Sequence, residues 1–151
     1  MEILIEKSAR QLTLLHEGKP LLLFPIALGK CPAGHKEREG DLRTPEGMYY
    51  VCTRNAQSKF HLALGLSYPN PDDADAALAR REITSAEHQA ILCAHAALRR
   101  PPWDTRLGGF IMIHGGGTAS DWTAGCIALE NSDIEKLFSL CPLKTPVRIL
   151  P

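Results

Sequence analysis

The chain has 151 residues, with 17 Lys plus Arg against 17 Asp plus Glu, so its formal net charge is zero. A hydrophobic share of 44% and a charged share of 23% are those of an ordinary folded chain with one core, and residues 1–151 are expected to form one domain. The balanced charge offers no basic surface for nucleic acid or an anionic membrane, and no apolar run nears the ~18 residues of a spanning helix, so nucleic-acid binding and membrane insertion are not expected.

Ile3 and Ile5 alternate with Leu4 and Glu6, which predicts a first strand, and Gln11 to His16 a second. His16-Glu17-Gly18-Lys19 is a turn, with Gly18 supplying positive φ. Lys19 to Leu28 is the returning strand, bulged or at an edge where Pro25 removes a donor. Residues 29–47 show no periodicity, and a loop of that length in a compact domain is commonly functional. It closes on Thr44-Pro45-Glu46-Gly47, where proline presets φ and glycine relieves the next constraint. Strands are predicted over 48–54 and 60–68. Asp72-Asp73 is expected to cap a short helix through Ala74, Ala77 and Leu78. Thr84-Ser85-Ala86-Glu87 has the capping-box form, opening a helix through Ile91, Leu92, His95 and Leu98 that runs to Arg99-Arg100 and stops at Pro101-Pro102. Gly109 to His114 reads as a buried strand, and residues 115–126 as a loop rich in Gly, Ser and Thr. Ser132-Asp133-Ile134-Glu135 is a second capping box, with Ile134, Leu137, Phe138 and Cys141 on one helical face, before a last strand over 147–150.

Five cysteines are present, an odd number that leaves at least one thiol unpaired. Cys52, Cys93 and Cys141 have apolar neighbours and are expected to be buried small hydrophobes. The six histidines and five cysteines show no His-x₃₋₅-His or Cys-x₂₋₄-Cys spacing, so no metal site is expected.

The chemistry is concentrated in Ile111-Met-Ile-His-Gly-Gly-Gly117 and Asp121-Trp-Thr-Ala-Gly-Cys-Ile127. His114 ends an apolar strand, a glycine-rich loop follows, and Gly125-Cys126 precedes a capped helix. A thiol is a weak nucleophile until it loses its proton, and an imidazole beside it can take that proton. Gly125 lets the backbone come close, so the N–H groups of Gly125 and Cys126 are candidates for an oxyanion hole. Gly115 and Gly116 allow a carbonyl to turn toward the imidazole and fix its tautomer. Cys126 and His114 are thus the catalytic candidates, with Gly125 and Gly115 as orienting residues. Asp121, Trp122 and Thr123 lie in the loop before the thiol and are candidates to shape a substrate pocket, Trp122 having packing onto the core as its alternative. Arg43 and Lys36 in the long loop are candidates to meet a carboxylate, and Tyr68 and Asn70 to line the cleft.

His-Gly, a spacer, Gly-Cys-Ile and then Asn131-Ser132-Asp133 resemble the catalytic signature of the L,D-transpeptidase (YkuD-type) family. The resemblance extends over nearly the whole chain: Lys7 to Leu12 is similar to the family's first hairpin, Gly40 to Gly47 to its Thr-Pro-x-Gly turn, and Leu66 to Asn70 to a segment of one branch. It implies a mainly β, mixed sandwich or barrel-like domain with two or three peripheral helices. It implies a peptidoglycan stem peptide as partner, cut at an L,D bond through a thioester on Cys126 with His114 as base, and no cofactor. Two positions depart from the family pattern: Ala124 stands for a frequent His and Ala128 for a frequent Arg. The resemblance implies transpeptidation; the second change resembles a sub-branch that hydrolyses or edits crosslinks, so L,D-carboxypeptidation or crosslink editing is the alternative, with a non-catalytic wall-peptide binder as another. As it stands the sequence carries no secretory leader pattern and reads as cytoplasmic, whereas a wall substrate places the protein in the cell envelope behind a leader outside these residues.

Overall fold

The computed structural model describes all 151 residues. Eight strands form one sheet in the order β3-β2-β1-β8-β4-β5-β6-β7. They are β1 (Glu2–Glu6), β2 (Gln11–His16), β3 (Lys19–Pro25), β4 (Gly47–Ser58), β5 (His61–Leu66), β6 (Met112–His114), β7 (Ile127–Ala128) and β8 (Pro146–Leu150). Pairing is antiparallel except between β1 and β8 and between β6 and β7. Beyond the end of β3, Ala27 bridges to Ala128 and Gly29 to Thr123, so the two edges of the sheet meet and the sheet curls on itself. That curl answers the edge problem of an open sheet and encloses 26 buried core residues, among them Ile3, Ile5, Leu12, Leu64, Ile113 and Ile127.

Three helices lie outside: α1 (Pro71–Ala79), α2 (Ser85–Ala96) and α3 (Asn131–Leu140). The mainly β class and the peripheral helices are as expected, and several element ends differ for local reasons. The cap of α1 is Asn70, not Asp72-Asp73: the Asn70 side chain accepts from the Asp73 N–H and the Asp73 carboxylate accepts from the Asn70 N–H, both at 2.9 Å. Thr84 and Glu87 form the expected box on α2. The helix stops at Ala96, short of Arg99-Arg100, because Leu98 takes φ 52° and the Arg99 N–H closes back on the Ala94 carbonyl. The third strand ends at Pro25, where the chain leaves the sheet edge to cross toward β7. Ser132 does not cap α3. That helix begins at Asn131, and its first polar groups hold the loop of residues 115–118 instead: the Glu130 carboxylate accepts from the N–H and hydroxyl of Thr118, and the Asn131 side chain accepts from the Gly116 N–H.

Residues 29–47 are irregular yet fixed by buried polar contacts. Lys7, on the turn after β1, donates to the carbonyls of Gly34 and Thr44 and to the Glu46 carboxylate, so all three ammonium hydrogens have acceptors. His35 accepts from the Glu46 N–H at Nδ1 and meets Asp73 at 2.6 Å through Nε2, while Asp73 also accepts from the Tyr49 hydroxyl. A satisfied buried network of this kind rigidifies a segment that has no ladder of its own. Of the cysteines, Cys141 is buried and Cys52 half-buried as packing would have it, but Cys93 is exposed, since it lies on the outward face of α2. All five thiols are free. No helix is long and apolar enough to cross a membrane.

Candidate active site

Ile113 pairs with Ile127 and His114 with Ala128 where β6 and β7 run side by side. Both isoleucines are wholly buried in the core, and strand alternation therefore turns His114, Ala128 and the Cys126 thiol to the opposite face. The pairing sets His114 on the strand next to the segment that carries Cys126, two residues along from its level.

His114 is 3% exposed. Its ring stacks on Phe60 at 4.5 Å between centroids and meets the edge of Trp122 at 5.6 Å. Nδ1 lies 2.6 Å from the Gly115 carbonyl. A carbonyl only accepts, so Nδ1 carries the proton and Nε2 presents a lone pair. Nε2 has no partner in the chain and is not sealed from solvent. Burial lowers the imidazole's pKa, opposed by the Gly115 hydrogen bond, so the ring is neutral at neutral pH. Gly115 has no room for a side chain: a Cβ there would stand 2.4 Å from the Asn131 side-chain oxygen and 2.7 Å from the Phe60 carbonyl.

The Cys126 thiol donates to the Phe110 carbonyl at 3.3 Å and accepts from the Met112 N–H at 3.4 Å. Burial raises its pKa, and the Met112 N–H and the charge of Lys36 pull the other way. The resting pair is thus a neutral thiol and a neutral imidazole without a direct hydrogen bond, rather than the thiolate and imidazolium ion pair of many cysteine enzymes. That suits a general base that takes the proton as the attack occurs.

The loop carrying the thiol is clamped from the opposite wall. Gly125 has φ 137°, and a Cβ there would fall 2.7 Å from the Arg43 carbonyl. The buried Thr44 hydroxyl donates to the Gly125 carbonyl at 2.8 Å and accepts from the Gly29 N–H at 3.1 Å. Thr123 donates to the Cys126 carbonyl and accepts from the Gly125 N–H. The Gly125 N–H is therefore spent inside the loop and is not free as an oxyanion donor, whereas the Cys126 N–H has no acceptor in the chain. Replacing Thr44 by valine strands two buried backbone groups. It is expected to cost about 1–3 kcal/mol, a fall in melting temperature of several degrees for a chain of this size, with slower turnover as the loop loosens. Thermal unfolding followed by circular dichroism checks the first part.

The residues expected at the substrate are placed as follows. Trp122 edges onto His114 and Phe60 and donates to the Gly117 carbonyl at 3.0 Å, so it walls the imidazole. Thr123 serves the loop, as above. Asp121 is bound by Arg10 at 2.9 Å and by the Leu28 N–H at 2.9 Å, which makes it a strut between hairpin and loop. Tyr68 does not line the cleft: it is 0% exposed and its hydroxyl donates to the Leu107 carbonyl, because the segment after β5 turns into the core. Arg43 points away from the thiol, toward Gly34 and the His35 carbonyl. Asn70 is buried as the α1 cap.

A cavity of about 180 Å³ adjoins the thiol, lined by Cys126, Lys36, Glu39, Phe110, Ile111 and Ala124 together with Gly40 and Gly109. Glu39, Phe110 and Phe60 carry no sequence signal that marks them. Phe110, expected inside a buried strand, takes φ 56° and is 60% exposed, which aims its carbonyl at the thiol and its ring at the cavity mouth.

The family model YkuD, L,D-transpeptidase catalytic domain, matches residues 1–149. No curated protein matches. Among solved structures the chain is similar to the helical cell shape determining protein Pgp2 from Campylobacter jejuni, with 25% identity and a TM-score of 0.65, over 97% of this chain and 46% of that one. It is likewise similar to Bd1075 of Bdellovibrio bacteriovorus, with 25% identity and a TM-score of 0.61, over 99% of this chain and 47% of that one. LD transpeptidase LdtMt1 in complex with imipenem shares the fold at 13% identity and a TM-score of 0.56, over 98% of this chain and 57% of that one. The chain thus spans about half the length of the structures it matches. A match along residues 1–149, on the curled eight-stranded sheet that sets a histidine beside a Gly-Cys loop, means that the chain belongs to the YkuD family of L,D-transpeptidase catalytic domains.

Proposed function

We propose that the chain is a cysteine acyl-transfer enzyme acting on peptidoglycan stem peptides. Nε2 of His114 takes the thiol proton as Sγ of Cys126 attacks the carbonyl of an L-centre. The bond to the following D-residue breaks, and that residue leaves with the proton from the imidazolium. The thioester then passes its acyl group to an amine, which forms a crosslink, or to water, which trims the stem. The observation that carries the reading is the fixed His114 tautomer, Nδ1 on the Gly115 carbonyl and Nε2 free, on the strand beside the thiol.

Water is the favoured acceptor of the two. Ala128 pairs directly with His114, so the position beside the base offers no side-chain charge to hold an acceptor peptide. Pgp2, a helical cell shape determining protein, supports a role in shaping the wall. Incubation with tetrapeptide and pentapeptide stems, followed by mass analysis, tests the reading. The expected product is the tripeptide with a released D-residue, and dimer formation on adding a second stem would move the assignment to transpeptidation.

The complex of LdtMt1 with imipenem supports a further expectation. Imipenem should acylate Cys126 slowly, adding its whole mass to the protein. Peptide mapping should place the adduct on Cys126 rather than on the exposed Cys31 or half-buried Cys52, whose thiol burial pushes up to about 12.

A further inference from the structure

One aromatic side chain occupies a position that turn chemistry does not call for. Strands β4 and β5 are joined by two residues, Lys59 and Phe60, with Ser58 paired to His61 across the turn. Loops of that length favour Asn, Asp and Gly, and neither residue is one of these. Phe60 is half-buried and stands outside the hydrophobic core, so core packing does not call for it either. Its contacts are with the residue read above as the base. The Phe60 ring stacks on His114, with 4.5 Å between centroids and 20° between planes, and meets Trp122 at 5.2 Å. Its carbonyl accepts from the Gly115 N–H at 2.9 Å, and the carbonyl of that same glycine takes the His114 Nδ1 proton. The glycines after the histidine fit this arrangement. A Cβ on Gly115 would stand 2.7 Å from the Phe60 carbonyl, and one on Gly116 would stand 2.9 Å from the Trp122 ring. The hairpin tip is tied to α3 by His61, which meets Glu135 at 2.7 Å.

We propose that Phe60 is a positioning residue for His114: its ring fixes the imidazole plane and its carbonyl fixes the peptide that sets the tautomer, so that Nε2 keeps one direction. The inference rests on the reading of His114 as the base. A ring free to turn carries its lone pair away from the reacting atoms, and a misplacement of about 1 Å can cost about 10²-fold in rate. The stack also closes one face of the imidazole to water, and burial is the largest cause of its lowered pKa. Charged groups on the surrounding elements are engaged elsewhere: Glu130 with Thr118, His61 with Glu135, and Lys59 over the Phe60 ring at 5.0 Å. Cys126, on the neighbouring segment, is held neutral by burial.

Phe60→Ala, Phe60→Leu and Phe60→Tyr separate the parts of this role. Two readings are taken on the full chain: kcat and KM on a tetrapeptide stem, and the titration midpoint of the His114 Cε1 proton by nuclear magnetic resonance, assigned by its loss in His114→Gln. Phe60→Ala should lower kcat on the order of 10²-fold with KM little changed, and should move the midpoint up toward the ordinary 6.5. Phe60→Leu keeps an apolar cover without a flat face, so the midpoint should stay near that of the wild type while kcat still falls. Phe60→Tyr should restore both. A side chain that only packs the hairpin predicts a lower melting temperature with kcat, KM and midpoint unchanged in the folded protein, and that result would overturn the proposal. Phe60→Tyr as slow as Phe60→Ala would overturn it too. The titration needs no substrate: a midpoint that moves in Phe60→Ala, in a protein whose wild type leaves stem peptides uncut, would sink the stem-peptide reading and keep the positioning of the ring.

Discussion

Replacing Cys126 by alanine is expected to abolish turnover of a stem peptide while the protein stays folded. Without the thiol no thioester forms, and loss of a nucleophile in another covalent hydrolase lowers turnover by on the order of 10⁶-fold. The fold should hold because the thiol's only bonds are two long contacts, at 3.3 and 3.4 Å, with backbone groups of the neighbouring segment. Clamping of the loop runs instead through Thr44 and Thr123. Serine at the same position should be nearly as inactive, since neutral His114 is a weak base for a hydroxyl that far exceeds a thiol in pKa. The check is product formation by mass together with a melting curve on the same sample. A control at Cys141 should show the reverse pattern: Cys141→Ala leaves a void in the core, lowers the melting temperature and keeps turnover.

Replacing His114 by glutamine is expected to lower turnover about 10²–10⁴-fold, the usual worth of a positioned general base. Its pH dependence carries more information than its size. Burial holds the imidazole below its ordinary 6.5, so the wild-type base is already neutral at that pH and the acid limb of the rate profile should lie below it. Burial holds the thiol above its ordinary 9.0, so spontaneous ionisation of Cys126 contributes little near neutrality. In His114→Gln the acid limb should vanish, and the residual rate should climb only as hydroxide ionises the thiol, at alkaline pH. Stability follows the same group. A histidine whose folded pKa is depressed leaves stability intact above its unfolded value and loses it as pH falls through that value toward the folded one. Wild-type melting temperature should therefore decline below pH 6.5, and His114→Gln should lose part of that decline.

The legible parts of the fold are those whose signal is local. The Thr84–Glu87 box, the alternation of Ile3 and Ile5 and the turn at Gly18 each depend on neighbours within a few residues, and the structure has all three. The misread ends are those where a distant partner decides. Ser132 and Glu135 have the cap spacing, yet the start of α3 is set by Glu130 and Asn131, which reach back to Gly116 and Thr118. Phe110 has the hydropathy of a strand residue, yet its backbone is left-handed and its carbonyl accepts from the Cys126 thiol, a partner 16 residues away.

The site divides in the same way. His114, Gly115 and Cys126 stand out in the sequence because residue type, order and flanking glycine all point to one chemistry, and the structure adds the Nδ1 contact of His114 with the Gly115 carbonyl. The roles of Gly125 and Tyr68 do not stand out in the sequence. Whether an N–H is free or spent depends on Thr123, and whether an aromatic ring lines a cleft or fills a core depends on the turn after β5. Thr44 reads in sequence as one member of a proline turn, but it spans 81 residues to hold Gly125. No periodicity brings Lys36, Glu39 and Cys126 around one cavity; only the folded course of residues 29–47 does so.

Acid quench of the reaction during turnover of a tetrapeptide stem, followed by peptide mapping, asks the central question most directly. The tripeptide acyl mass should appear on the peptide carrying Cys126, in a hydroxylamine-labile linkage, and should be absent from Cys126→Ala together with any product. Product formed by folded Cys126→Ala, or an acyl mass carried by another residue in the wild type, would contradict the assignment of Cys126 as the nucleophile.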